Sequence, residues 1–153
     1  MSSIALNRGE PRGEAATPGT RLGAAGVSVA CAGMLGVGAW LTPDAAGHGT
    51  HTQLGLPACA WASVMHRPCP TCGMTTAVSL AAHGRLVDSF LAQPFGLLVA
   101  LGAAVALWSG LHVAFTGSHL GRLYGMMMSP RVLWALAGLA GAAWAYKWVT
   151  WVG

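Results

Sequence analysis

The chain has 153 residues, of which 54% are hydrophobic and only 8% charged, and its formal net charge is +4. Soluble domains carry roughly 25% charged residues, so a chain this poor in charge cannot cover a water-facing surface, and lipid is its expected solvent. Its eight Lys and Arg residues are too scattered for the clustered basic footprint of a nucleic-acid binder.

Residues 1–21 are polar and rich in Gly and Pro, with Arg8, Arg12, Arg21, Glu10 and Glu14. They read as a disordered tail, followed by a single helical transmembrane domain over residues 22–153. Leu22 to Leu41 carries no charge. At ~1.5 Å rise per residue, about 20 apolar residues cross a ~30 Å hydrocarbon core. No cleavage signature follows, so this segment is expected to remain as a helix. Gly26/Ala30 and Ala32/Gly36 form small-xxx-small pairs, which let helices approach closely in lipid. Thr42-Pro43-Asp44 ends the segment. Cys31, in the middle of the apolar run, reads as packing.

Asp44 to Pro70 reads as a loop. It holds His48, His51, Cys59, His66, Arg67 and Cys69, with Pro57 and Pro68. Cys72 to Ala82 is apolar and compatible with a helix but too short to span alone, and His83-Gly84-Arg85 interrupts it before Leu86 to Leu91. A short re-entrant or interfacial helix over 71–91 is predicted, with a tilted additional span reaching Leu91 as the alternative. Gln93-Pro94 marks a helix start with Pro at the first helical position, opening a span over 94–116. Gly117 to Pro130 is a short connection, and a last span covers 132–152. In that span Lys147 is expected to extend its ammonium toward the interface, and Trp134, Trp144, Trp148 and Trp151 fit an aromatic belt. The predicted fold is therefore all-α and polytopic, with three transmembrane helices plus one short helix, or four spans in the alternative.

The basic residues predict an orientation. Arg8, Arg12 and Arg21 precede the first span, and Arg122 and Arg131 lie between the last two. The positive-inside rule then places the N-terminus and the 117–131 loop in the cytoplasm, and the Cys/His loop on the periplasmic or outer face.

Cys69-Pro70-Thr71-Cys72-Gly73 is the most specific motif. A two-residue gap between cysteines serves either as a metal knuckle or as a redox pair. At a helix N-terminus the dipole and free amides stabilise thiolate. A structural zinc ion takes four ligands, and Cys59, His66, Cys69 and Cys72 form the candidate set. In a redox pair, Cys69 is the nucleophile and Cys72 its resolving partner, with Cys59 as the alternative partner or resolving thiol. A plain disulfide that fixes the loop is the third option.

Cys72, Thr76, Ser79 and His83 fall on one helical face, as do Ser109, His112, Thr116 and His119. A histidine inside a span is a functional candidate, so His83 and His112 mark a conceivable metal or proton conduit. Met126-Met127-Met128 includes the thioethers that suit Cu(I), yet consecutive positions diverge around a helix and fit a hydrophobic hook better. No phosphate loop or paired catalytic carboxylates occur, which argues against acid–base hydrolysis, and the chain shows no inverted repeat of the kind seen in transporters.

The ordered motifs His51-x-Gln53-Leu54-Gly55-Leu56-Pro57-x-Cys59, Pro68-Cys69-Pro70-Thr71-Cys72-Gly73-Met74-Thr75-Thr76-Ala77, Gly84 and Gln93-Pro94 resemble a family of small bacterial membrane proteins defined as a domain of unknown function. The likeness covers about residues 48–115. It implies location in the bacterial inner membrane and makes the Cys cluster the family's centre. The resemblance supplies no activity, and the residues themselves support three functions, in order. The first is a non-enzymatic subunit of a membrane assembly or homo-oligomer, with the Cys/His loop holding zinc or a disulfide. The second is a membrane thiol–disulfide oxidoreductase, and the third a small conduit.

Overall fold

The computed structural model describes residues 16–118 and 129–151. Among the described residues, six α-helices and one 3-10 turn follow in chain order: α1 (Pro18–Trp40), the 3-10 turn Thr50–Leu54, α2 (Ala60–Met65), α3 (Met74–Ala82), α4 (Leu86–Ala92), α5 (Pro94–Thr116) and α6 (Pro130–Val149). No strand occurs among the described residues. Helices α1, α5 and α6 are long and apolar enough to cross a membrane. Large side chains such as Trp134, Phe115 and Val149 are highly exposed on them, as lipid-facing helices require. Residues 1–15 of the predicted tail lie outside the described residues, as do His119, Arg122 and Met126 to Met128 in the predicted connection.

Helix α1 begins at Pro18 rather than Leu22. The Thr17 hydroxyl accepts the Thr20 amide at 3.3 Å and Pro18 takes the first helical position, both favourable at a helix start. Arg21 therefore lies inside the helix. Its guanidinium donates to the carbonyls of Ala114 at 2.8 Å and Phe115 at 3.1 Å, satisfying acceptors that the last turn of α5 leaves open. Further along, the Ser28 hydroxyl donates to Leu107 O at 3.1 Å as well as to Ala24 O of its own helix. These ties fix α1 and α5 as an antiparallel pair.

The face of α1 that packs within the chain does not carry the small-residue pairs. Ala24, Ser28 and Gly38 are buried, while Gly26, Ala30, Ala32 and Gly36 are exposed. A Cβ on Gly26 or Gly36 would meet nothing within 4 Å, whereas one on Gly38 would lie 3.1 Å from Val78 Cγ1.

Helices α3 and α4 form a hairpin against α1 and α5. Ser89 Oγ donates to Ala77 O at 2.7 Å, and the Cβ position of Gly73 lies 3.3 Å from Ala92 O. Both ends of the hairpin are therefore on one side, with Gly84 (φ +77°) at its tip. The nine residues of α3 rise only ~14 Å at 1.5 Å each, about half a hydrocarbon core. The predicted short helix is thus two helices, α3 and α4, folded back on each other, and neither is long enough to span. An exposed Arg85–Asp88 ion pair of 2.8 Å sits beside the tip. Gln93, only 1% exposed, starts α5 as expected, its Oε1 accepting the amides of Phe95 and Gly96.

The C-terminal half of α6 docks on the loop end of this assembly. Trp144 Nε1 donates to Pro68 O at 3.1 Å and Tyr146 OH to Leu91 O at 3.4 Å. His48 stacks on Trp151 with ring centroids 4.5 Å apart, and the Arg67 guanidinium lies 5.0 Å over the Trp148 ring. Lys147 is 6% exposed. Its ammonium turns inward to Gly47 O at 3.3 Å and Ala92 O at 3.0 Å instead of reaching for the interface. The reason is local: two carbonyls without helical partners face it, and such acceptors hold a cation better than a bare apolar wall would.

Candidate functional site

Cys69-Pro70-Thr71-Cys72 folds as a tight turn, the Cys72 amide donating to Cys69 O at 3.0 Å. Pro at the second position presets the φ that such a turn needs. Gly73 follows with φ +85° as the cap of α3. A Cβ there would stand 2.7 Å from Gly47 O and 3.4 Å from Lys147 Nζ, so both the backbone and the space demand glycine.

The turn is bolted down from behind. Thr76 Oγ1 and Thr50 Oγ1 share a buried hydrogen bond of 2.8 Å, and Thr50 Oγ1 also accepts the Asp44 amide at 3.0 Å. Ser79 Oγ donates to Leu41 O at 2.8 Å, and His83 Nδ1 lies 2.8 Å from Ser79 O. The polar face of α3 thus ties the hairpin to α1 and to the loop. His112 is exposed on α5, next to the residues that Arg21 caps. His83 and His112 therefore sit toward opposite ends of α1, and the structure does not bring them together.

The two sulfurs of the turn are placed unequally. Cys69 is half-buried, with its Sγ 3.4 Å from the Thr71 hydroxyl. Burial pushes its thiol up, but hydrogen bonds from Thr71, Cys59 and Cys72 outweigh burial and hold it below the usual thiol range. Cys72 is buried. Its burial, and then the neighbouring Cys69 and Cys59 sulfurs, push it up to about 11 despite the opposing Lys147 ammonium. A helix start alone suggests two acidified thiols; burial separates them. His48, on the far side of Lys147, is pushed down first by burial and then by that ammonium.

Cys59, Cys69 and Cys72 all line one cavity of about 680 Å³. Its other wall is apolar, formed by Gly33, Met34 and Val37 of α1, its C-cap Leu41, and Val99 of α5. His51, Thr71 and Thr75 add polar groups on the thiol side. His66 is not part of this wall. It is exposed and caps α2 in a left-handed conformation, φ 53°. The four candidate metal ligands are therefore three thiols in the cavity and one histidine outside it. Among the described residues, no group of three or more His, Cys, Asp or Glu side chains is arranged to hold a metal ion. All four cysteines are free thiols. The inward Lys147 was not foreshadowed, although a lone lysine in an otherwise uncharged span was its signal.

The fold and site define an all-helical chain with three membrane-length helices and a cysteine cluster at one end of the bundle. A family model described as "Protein of unknown function (DUF2752)" matches residues 59–107. That stretch contains the three thiols, the α3–α4 hairpin and the first part of α5, and it omits the His51–Pro57 motif. No curated protein and no solved structure matches the chain.

Proposed function

We infer that the chain is a membrane-embedded thiol–disulfide exchange protein, with Cys69 as the attacking thiol and Cys72 as the resolving thiol. The observation that carries this reading is the unequal placement of two sulfurs in one turn: Cys69 half-exposed beside the Thr71 hydroxyl, Cys72 buried behind it. The thiolate is the nucleophile in such exchange. The Cys69 thiolate attacks one sulfur of a partner disulfide; that S–S bond breaks and the other partner sulfur leaves as thiolate. Cys72, having given its proton to solvent, then attacks Cys69 Sγ in the mixed disulfide. The Cys69–Cys72 bond forms and the second partner thiolate departs, so two electrons have passed to the partner. Run in reverse, the same steps oxidise a partner dithiol. Lys147 favours the Cys72 thiolate electrostatically. The distribution of arginines supports a cytoplasmic N-terminus and a thiol cluster on the periplasmic or outer face of a bacterial inner membrane.

The test is a thiol count and metal analysis by mass spectrometry on the detergent-purified chain. Mild oxidation should remove two thiols together in wild type, and Cys72→Ser should accumulate a mixed disulfide at Cys69 with oxidised glutathione. About one zinc per chain, lost in Cys69→Ser, would instead establish a ligand site in a non-enzymatic membrane subunit and end the exchange reading.

A further inference from the structure

The cavity beside the thiols has a wall that thiol exchange between proteins does not need. Gly33, Met34 and Val37 lie in the second half of α1, Leu41 is its C-cap, and Val99 lies in the first turns of α5. Both helices are long and apolar enough to cross a membrane, so an apolar tail can lie against this side of the cavity. Its volume of about 680 Å³ falls within the ~300–1,000 Å³ of small-molecule sites. A ligand that fits must be soluble in lipid on one side and must present reactive or polar atoms to Cys59, Cys69 and Cys72 on the other. His51, Thr71 and Thr75 supply hydrogen-bonding groups at that end.

We propose that this cavity binds a membrane-soluble isoprenoid quinone, which reoxidises the Cys69/Cys72 dithiol. This rests on the exchange reading above and gives it a direction: the chain is an oxidant of partner dithiols. A plain lipid chain would also fill the apolar half, but it has nothing to accept from three thiols. A substituted benzoquinone or naphthoquinone has a flat ring with two carbonyl oxygens for the polar end and a prenyl tail for the wall on α1.

The chemistry balances. The Cys69 thiolate adds to a quinone ring carbon, forming an S–C bond. Cys72, deprotonated, attacks Cys69 Sγ; the S–S bond forms, the S–C bond breaks and its electron pair stays on the ring. The two thiol protons end on the two ring oxygens. One dithiol becomes one disulfide and one quinone becomes one quinol.

The test uses the reduced full-length chain in detergent under anaerobic conditions, with a decyl-substituted benzoquinone whose ring positions are all occupied. Quinol formation and thiol loss are followed together. Wild type should form quinol with a loss of two thiols for each, and Cys72→Ser should form none. Gly33→Phe is the diagnostic variant. A Cβ on Gly33 meets nothing within 4 Å and Gly33 lines the cavity, so a ring placed there is directed at the space the quinone would take. It should lose quinol formation by a much larger factor than it loses exchange with oxidised glutathione, because the half-exposed Cys69 is also open to a water-soluble disulfide. The proposal is overturned if wild type forms no more quinol than Cys72→Ser, or if Gly33→Phe matches wild type. If glutathione exchange persists in the first case, only the quinone assignment fails; if it too is absent, the exchange reading fails with it.

Discussion

Lys147 Nζ donates to Ala92 O at 3.0 Å, joining the last long helix to the closing end of the α3–α4 hairpin. The same ammonium reaches Gly47 O and comes within 5.9 Å of the Trp151 ring centroid. Loop, hairpin and α6 therefore converge on one buried charge, directly behind Gly73 and Cys72.

Lys147→Met removes this shared donor and leaves two carbonyls unpaired in a dry site. Each unpaired buried acceptor costs about 1–3 kcal/mol, so a large drop in Tm is expected in detergent. Thermal melts compared with Arg131→Met, at the exposed start of α6, would show it. Equal Tm values would mean that α6 is held by its aromatic contacts alone.

Gly73→Ala and Gly84→Ala separate two costs of a side chain at positive φ. Both positions lie in the left-handed region, at φ +85° and +77°, where a Cβ costs roughly 1–2 kcal/mol. At Gly84 a Cβ meets open space, but at Gly73 it meets Gly47 O at 2.7 Å. Gly84→Ala should cost only the backbone penalty. Gly73→Ala should also displace the turn, seen as a larger loss of Tm and faster alkylation of Cys72.

The two thiols of the turn should titrate far apart. The Cys69 thiol lies below the usual range and Cys72 at about 11, and only thiolates alkylate. As pH rises from neutral, iodoacetamide should modify Cys69 first and spare Cys72 until strongly alkaline conditions. Thr71→Val removes the hydroxyl 3.4 Å from Cys69 Sγ, a hydrogen bond that favours the thiolate. Its alkylation midpoint should therefore move up, slowing the reaction at neutral pH. Peptide mapping at stepped pH reads both effects, and a Thr71→Val profile identical to wild type would remove the hydroxyl from the account.

How legible this molecule was depends on how local each signal is. The three long helices follow from apolar length alone, and the start of α5 from Gln93-Pro94, because a cap and a proline act within one turn. The hairpin was ambiguous because an interrupted apolar run suits either a tilted span or a return; the tight approach of Gly73 to Ala92 O decides it, and that approach is tertiary. The Cys69/Cys72 pair is written in its spacing. The arrival of Cys59 beside it, and the exclusion of His66, depend on how α2 ends, with His66 itself in a left-handed cap. Lys147 is illegible for a similar reason: whether an ammonium reaches the interface or turns inward depends on which loop carbonyls face it.

Small residues on α1 make the same point and give the last prediction. Gly and Ala occur on every face of α1, so the pairs Gly26/Ala30 and Ala32/Gly36 carry no information about which face is covered. Contact is made instead at Gly38 against Val78, and on α5 at Gly96, where a Cβ would fall 2.7 Å from Ala77 Cβ. Gly26→Leu should therefore leave Tm in detergent almost unchanged or raise it slightly, since Gly costs about 1 kcal/mol relative to a good helix former. Gly96→Leu must push α3 off α5, and overpacking of this kind typically costs about 1–3 kcal/mol. Because the thiol turn leads through Gly73 directly into α3, Gly96→Leu should also expose Cys72 to alkylation, and Gly26→Leu should not. A strong effect of Gly26→Leu on Tm would instead mean that this face of α1 is covered by another chain, and cross-linking of a cysteine at position 26 would identify it.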